Sequence, residues 1–187
     1  KPMIAVPNHL VAQYSNDFLL LYPNAKILTI SSLSQKNFKH AYSQILYSDV
    51  DCIVVGHSVL DRMSMPLSYQ KQYYKDRLDE KNLALQQSEA RSISQRQIER
   101  SIRALEERLD NLVNLKDSKN IGYDFNELGI DALLLDEAHE YKNLGFETGK
   151  KIKQIGNQAG SEKTANLHMI TNYLNENGKK IIFATGT

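Results

Sequence analysis

Five short apolar, β-branched-rich runs constrain this chain more than any other feature: MIAV from Met3, KILTI from Lys26, CIVVG from Cys52, ALLLD from Ala132 and KIIFAT from Lys180. A strand with one wet face alternates apolar and polar residues. Near-continuous apolarity suits strands covered on both faces, as in a parallel sheet. Between the runs lie segments with helical spacing. In NHLVAQYSNDFLLLY the stripe is Leu10, Val11, Tyr14, Phe18 and Tyr22, with Asn8 as cap and Tyr22-Pro23-Asn24 as stop. SQKNFKHAYSQILYS puts Phe38, Tyr42, Ile45 and Leu46 on one side, and SEKTANLHMITNYLNENG puts Leu167, Ile170, Tyr173 and Leu174 ahead of Gly178. Strands alternating with helices predict a doubly wound α/β fold.

One segment breaks the alternation. From about Ser68 to Ser118 the sequence is polar, charged and helix-favouring, with no strand signal. Ile98, Ile102, Leu105, Leu109 and Leu112 recur at steps of four and three, a heptad seam. Leu67, Tyr74, Leu78 and Leu85 make a matching stripe upstream, so the spacing predicts two helices pairing antiparallel through a turn near Ser88 to Ser94. The expected organisation is a sheet domain in two parts, 1–65 and 121–187, with a helical hairpin inserted over 66–120. That hairpin reads either as a solvated spacer or as an arm for a protein or DNA partner. Tyr73-Tyr74 between Lys71 and Lys75 suits base stacking or packing inside the hairpin.

A chain of 187 residues can bury one good core plus an appendage. Its formal charge of +1 supplies no global field for nucleic acid, so any such contact has to come from a local patch. Cys52 is the only cysteine and sits in an apolar run, which excludes a disulfide framework and a Cys-rich zinc site. No apolar run reaches the roughly 18 residues of a membrane span, and no signal peptide precedes the first strand. A reduced, cytoplasmic setting without membrane contact is the expectation. MIAVP reads as a strand already under way and IIFATGT stops just after another, so the sequence is expected to be a fragment of something larger.

In GIDALLLDEAHEYKNL, residues 129–144, an acidic pair and a histidine follow directly on a core strand. Open α/β sheets place their ligands beyond the carboxyl ends of the strands. An aspartate there can hold Mg²⁺ through oxygen, and an adjacent glutamate can orient and deprotonate a water that attacks a γ-phosphate. The other reading of Asp136-Glu137 is a charged strand end that caps the next helix.

The wider pattern bears on that choice. DEAH followed by EYKN resembles motif II of superfamily 2 helicases and translocases, and Lys142-Asn143 is similar to the Snf-type branch. ATGT, Ala184 to Thr187, resembles motif III; VPNHLVAQYSNDFLLLYP resembles motif Ia, with Tyr14 where the pattern has Trp; DCIVVGHSVLDRM stands in the place of motif Ib. The insertion together with FNELGIDALLLDEAHEYKNL resembles the helicase-like proteins of phages and conjugative elements, often fused to an adenine DNA methyltransferase. The resemblance implies a RecA-like motor lobe that uses ATP and Mg²⁺ and tracks DNA. It gives Asp136 the metal, Glu137 the water and His139 the sensing of the γ-phosphate. Thr185 and Thr187 become the motif III hydroxyls. Pro7, Asn8, His9 and Gln13 become contacts to the DNA backbone, with His57 and Ser58 as a second contact. Backbone contacts suit a motor because they carry no sequence information.

One part of such a motor is missing. Phosphoryl transfer in this family needs G-x-x-x-x-G-K-[ST], whose backbone and lysine hold the β- and γ-phosphates. GFETGKK, Gly145 to Lys151, has three residues between its glycines and a lysine in place of the hydroxyl, and it follows motif II. It is no P-loop, and the P-loop strand is expected upstream of Lys1. The surrounding GFETGKKIKQIGNQAGSEK reads as a mobile loop, either ordered by DNA phosphates or simply a connection. HEYKN opens like the zincin motif H-E-x-x-H but has Asn143 at its second ligand position. Two function classes follow: a lobe of an ATP-driven motor, or a motor fold kept as a scaffold whose hairpin recruits a partner.

Overall fold

The computed structural model describes residues 1–31, 37–87, 93–114, 124–142 and 161–186. The chain divides into two compact units. The first is drawn from Lys1–Met65, Tyr123–Tyr141 and Asn166–Thr187, the second from Pro66–Gly122 and Lys142–Ala165.

The apolar runs become the strands β1 (Pro2–Val6), β2 (Ile27–Ile30), β3 (Cys52–Gly56), β4 (Ala132–Leu135) and β5 (Lys180–Phe183). They form one sheet in the order β2-β3-β1-β4-β5, and every pairing is parallel. Register puts Ala5 of β1 beside Val55 on one side and Leu135 on the other, so the strands end nearly level. All five residues of β3 are buried, as two-face coverage demands. At the edge, β5 departs from that expectation: Ile182 and Phe183 are about half exposed. It has a strand neighbour on one side only among the described residues.

Helices α1 (Val11–Leu21), α2 (Phe38–Tyr47), the short α3 (His57–Leu60) and, in both units, α6 (Glu162–Glu176) occupy the crossovers between these strands. This all-parallel sheet with flanking helices is the RecA-like α/β arrangement that the sequence led us to expect. On α1 the inward face is Val11, Tyr14, Ser15 and Phe18, while Tyr22 lies outside. Val6, Val11, Cys52 and Val54 form a buried cluster, with Tyr14 and Phe18 packed against it. Burial pushes the Cys52 thiol above its usual range. Asn8 does not cap α1: a 3₁₀ turn, Asn8–Leu10, precedes the helix, and neither has a side-chain cap. The Asn8 side-chain Oδ1 instead accepts from Ser58, across the sheet end.

In the second unit, α4 (Leu67–Gln87) and α5 (Ile93–Asn114) pack on one another. Ile98 and Ile102 of the heptad seam are buried, and Leu105, Leu109 and Leu112 are half-buried. Tyr73 and Tyr74 are buried too, their rings 5.2 Å apart edge to face. Arg77 donates to the Tyr73 hydroxyl at 2.8 Å and Arg108 to that of Tyr74 at 3.0 Å. Packing within the helical unit is therefore their role, and base stacking is not. The turn expected near Ser88 to Ser94 falls largely on residues 88–92, outside the described residues.

Candidate functional site

The ends of three adjacent strands are knitted together by the main chain. Asp136 N donates to Ala5 O, Ala184 N to Leu135 O and Ala138 N to Ala184 O, each at 2.9 Å. The chain leaves β4 through Asp136 and Glu137 into a 3₁₀ turn, Ala138–Tyr141. Glu137 has φ 50°, the only positive φ outside glycine among the described residues. Left-handed backbone costs a residue with a Cβ about 1–2 kcal/mol. It persists only where the surroundings over-determine it, and such strain gathers at functional positions. Here the hydrogen bonds on either side of Glu137 fix the path.

Asp136, half-buried, is held from two directions. The Tyr14 hydroxyl of α1 donates to its Oδ2 at 2.9 Å. His57, buried at the start of α3, places Nε2 3.0 Å from its main-chain oxygen. A carbonyl only accepts, so that nitrogen carries the proton. The Tyr14 phenol is pushed up to about 12, by burial first and then by the Asp136 hydrogen bond and charge. It therefore stays a donor at neutral pH. The other His57 nitrogen faces Glu140 Oε2 at 3.4 Å, and the ring sits edge-on to Tyr141, 5.4 Å between centroids. Tyr141 in turn donates to Asp61 Oδ1 at 2.8 Å. Burial, reinforced by that carboxylate, holds the Tyr141 phenol protonated well above its ordinary range.

Glu137, His139 and Thr185 form a second group. His139 Nδ1 is 3.0 Å from Glu137 Oε2 and 3.3 Å from Thr185 Oγ1, so one imidazole nitrogen bridges the acidic pair and the end of β5. A half-exposed carboxylate beside a histidine can orient a water and take its proton. Thr187, Asn143 and the segment Gly145 to Lys151 lie outside the described residues.

The structure brings Asn8 and Ser58 together. Ser58 N and Oγ donate to Asn8 Oδ1 at 3.2 and 3.1 Å. Gly56 makes that approach possible, because a Cβ there would lie 2.3 Å from Asn8 Oδ1 and 2.3 Å from Ser31 O. Asn8, His9 and Gln13 are exposed, whereas Pro7 is buried. His57 is only 5% exposed, with both ring nitrogens directed at the DEAH turn, so it faces away from solvent. The roles of Tyr14, Asp61 and Tyr141 left no mark in the sequence, since their partners lie 122 and 80 residues away.

Among the described residues no three His, Cys, Asp or Glu side chains gather as a metal cage. The donors present fit a cation of another kind. Mg²⁺ is bound through one or two carboxylates and fills its other positions with phosphate oxygens and water. Asp136 offers one such carboxylate, and among the described residues its Oδ1 takes no hydrogen bond. No described helix is long and apolar enough to cross a membrane.

A family model described as a probable helicase domain matches residues 1–187. No curated protein and no solved structure matches the chain.

Proposed function

The chain belongs to the family described as a probable helicase domain, and from that premise we propose that it forms the first motor lobe of an ATP-driven DNA translocase of the Snf-type branch of superfamily 2. The observation that carries the reading is the acidic pair beyond β4, with Glu137 held at φ 50° and joined through His139 to Thr185. A strained glutamate beside a cation-ready aspartate at the carboxyl edge of a parallel sheet suits hydrolysis of a nucleoside triphosphate. Mg²⁺, when bound with ATP, neutralises phosphate charge. Asp136 is the residue that would hold that ion. Glu137 accepts the proton of the attacking water. His139 holds the Glu137 carboxylate and carries its position to Thr185.

G-x-x-x-x-G-K-[ST] does not occur in these 187 residues, and the motor reading assigns the phosphate cradle to a P-loop outside them. Asn8, His9, Gln13 and Ser58 are the proposed contacts to the DNA backbone. His57 acts through the Asp136 carbonyl and touches no DNA. In the same reading α4 and α5 are an antiparallel hairpin inserted in the lobe, serving a protein or DNA partner. A fused methyltransferase of the phage and conjugative-element kind is part of the proposal as well.

The test is ATP hydrolysis by the full-length protein with and without duplex DNA, beside Glu137→Gln. Hydrolysis that rises with DNA and collapses in the variant supports the motor. A folded, P-loop-containing protein with no hydrolysis supports the second reading, a RecA-like scaffold that recruits a partner through its helical unit.

A further inference from the structure

The Tyr14–Asp136 hydrogen bond joins two places that the proposed motor has to couple. Tyr14 follows the exposed Gln13 directly on α1, and the 3₁₀ turn with the exposed Asn8 and His9 leads straight into that helix. Its hydroxyl reaches Asp136 Oδ2 at 2.9 Å, across 122 residues of sequence. A carboxylate turns readily about its terminal torsion. A single donor on Oδ2 fixes that torsion and so aims Oδ1. The ring of Tyr14 packs against the buried cluster of Val6, Val11, Cys52 and Val54, which fixes the donor relative to α1. A displacement of α1 by about 1 Å would stretch the bond past useful length.

We propose that Tyr14 is a positioning residue that orients the Asp136 carboxylate for its cation and transmits contacts on the Asn8–Gln13 segment to it. The proposal rests on the motor reading and deepens it. Nucleic acid that presses on Asn8, His9 or Gln13 shifts α1, and the Tyr14 hydroxyl converts that shift into a change of carboxylate orientation. His57 complements it by pinning the Asp136 main chain, so the side chain is the part left free to respond.

The test uses the full-length protein loaded with a non-hydrolysable ATP analogue, with Mn²⁺ as the probe ion read by electron paramagnetic resonance. Tyr14→Phe keeps the ring and its packing and removes only the donor. Loss of an outer-shell partner of a metal ligand weakens the ion by about ten-fold or more, and Tyr14→Phe is expected to show that loss. Duplex DNA is expected to change Mn²⁺ affinity in the unaltered protein and to lose that effect in the variant. Ser15→Ala is the control. It removes the buried Ser15–Thr29 hydroxyl contact from the same helix without touching Asp136, and Mn²⁺ affinity should stay as it was. Unchanged Mn²⁺ affinity in Tyr14→Phe overturns the proposal, as does an equal loss in Ser15→Ala, which would mean that general loosening of α1 is responsible. Absence of Mn²⁺–nucleotide binding in the unaltered protein overturns the motor reading itself, and this inference with it.

Discussion

Gly56→Ala tests the close approach that assembles the candidate nucleic-acid edge. Gly56 has φ −73° and ψ 152°, a conformation that alanine adopts freely, so no backbone penalty enters. The cost is contact alone. The new methyl would lie 2.3 Å from Ser31 O and 2.3 Å from Asn8 Oδ1. Relief to ordinary separation needs about 1 Å of movement, and overpacking of this kind costs about 1–3 kcal/mol. The Asn8 side chain can swing aside, but it then gives up two hydrogen bonds to Ser58, each worth about 1 kcal/mol. Lower entropy of the unfolded alanine chain returns about 0.4–1 kcal/mol. The balance is a destabilisation of about 2–4 kcal/mol, which at a urea slope of ~2 kcal/mol per molar moves the unfolding midpoint down by about 1–2 M. Ser58→Ala removes only the hydroxyl bond at 3.1 Å and should move it by less than half as much. A Gly56→Ala midpoint equal to that of the unaltered protein would refute the packing argument, because neither the clash nor the lost hydrogen bonds would then exist.

Three other outcomes follow from the same geometry. Glu137→Gly should be more stable than Glu137→Ala, since both lose the carboxylate and only alanine keeps the strain of φ 50°; the difference is about 1 kcal/mol in urea unfolding, and equal stabilities would mean that the turn relaxes once the side chain is gone. The buried Tyr42 donates to Asp124 O at 2.9 Å and lies 3.1 Å from the exposed Glu127 Oε2, so Tyr42→Phe should cost about 1 kcal/mol by removing that hydrogen bond, and a loss under a few tenths would show that water replaces the phenol. The Tyr14 phenol, raised from 10.0 to about 12, keeps its proton in the folded state where the unfolded chain has lost it, so its contribution is full below pH 10 and falls as pH rises through about 12. Phenolate absorbance of the unaltered protein minus that of Tyr14→Phe should isolate one late-titrating phenol; a difference centred near pH 10 would show that the Asp136 contact is not formed.

The strands were legible because burial on both faces writes itself into a run such as CIVVG, and all five residues of that run are buried in β3. The seam from Ile98 to Leu112 was legible for a related reason: helical period needs only local sequence. Asn8 shows where this ends. An asparagine ahead of a helical stripe is a cap by local rules, yet its oxygen serves Ser58, fifty residues on, because β1 and β3 lie side by side in the sheet. The site divides in the same way. Asp136 and Glu137 stand out in the sequence as charges after an apolar strand, but the strain at Glu137 and the pairing of Tyr14 with Asp136 depend on which strand ends meet. His57 is ambiguous in sequence for want of the same knowledge: its burial follows from α3 starting immediately under the DEAH turn.

That order of strands also accounts for an acidic pair directly after a core strand. With β4 between β1 and β5, the chain emerging from it can be tied on both sides, to Ala5 through Asp136 and to Ala184 through Ala138. Two such ties, at about 1 kcal/mol net each, match the about 1–2 kcal/mol that a left-handed glutamate costs. The turn is thus stable only while both neighbouring strand ends stay in place. A shift of β5 by one hydrogen-bond length would release Ala138, and Glu137 would relax away from the geometry that His139 and Thr185 hold. Changes at Ala184 or Thr185 should therefore act on the acidic pair as strongly as changes beside it, and the linkage that motif III supplies in the motor reading would reside in this main-chain bond as much as in the threonine hydroxyl.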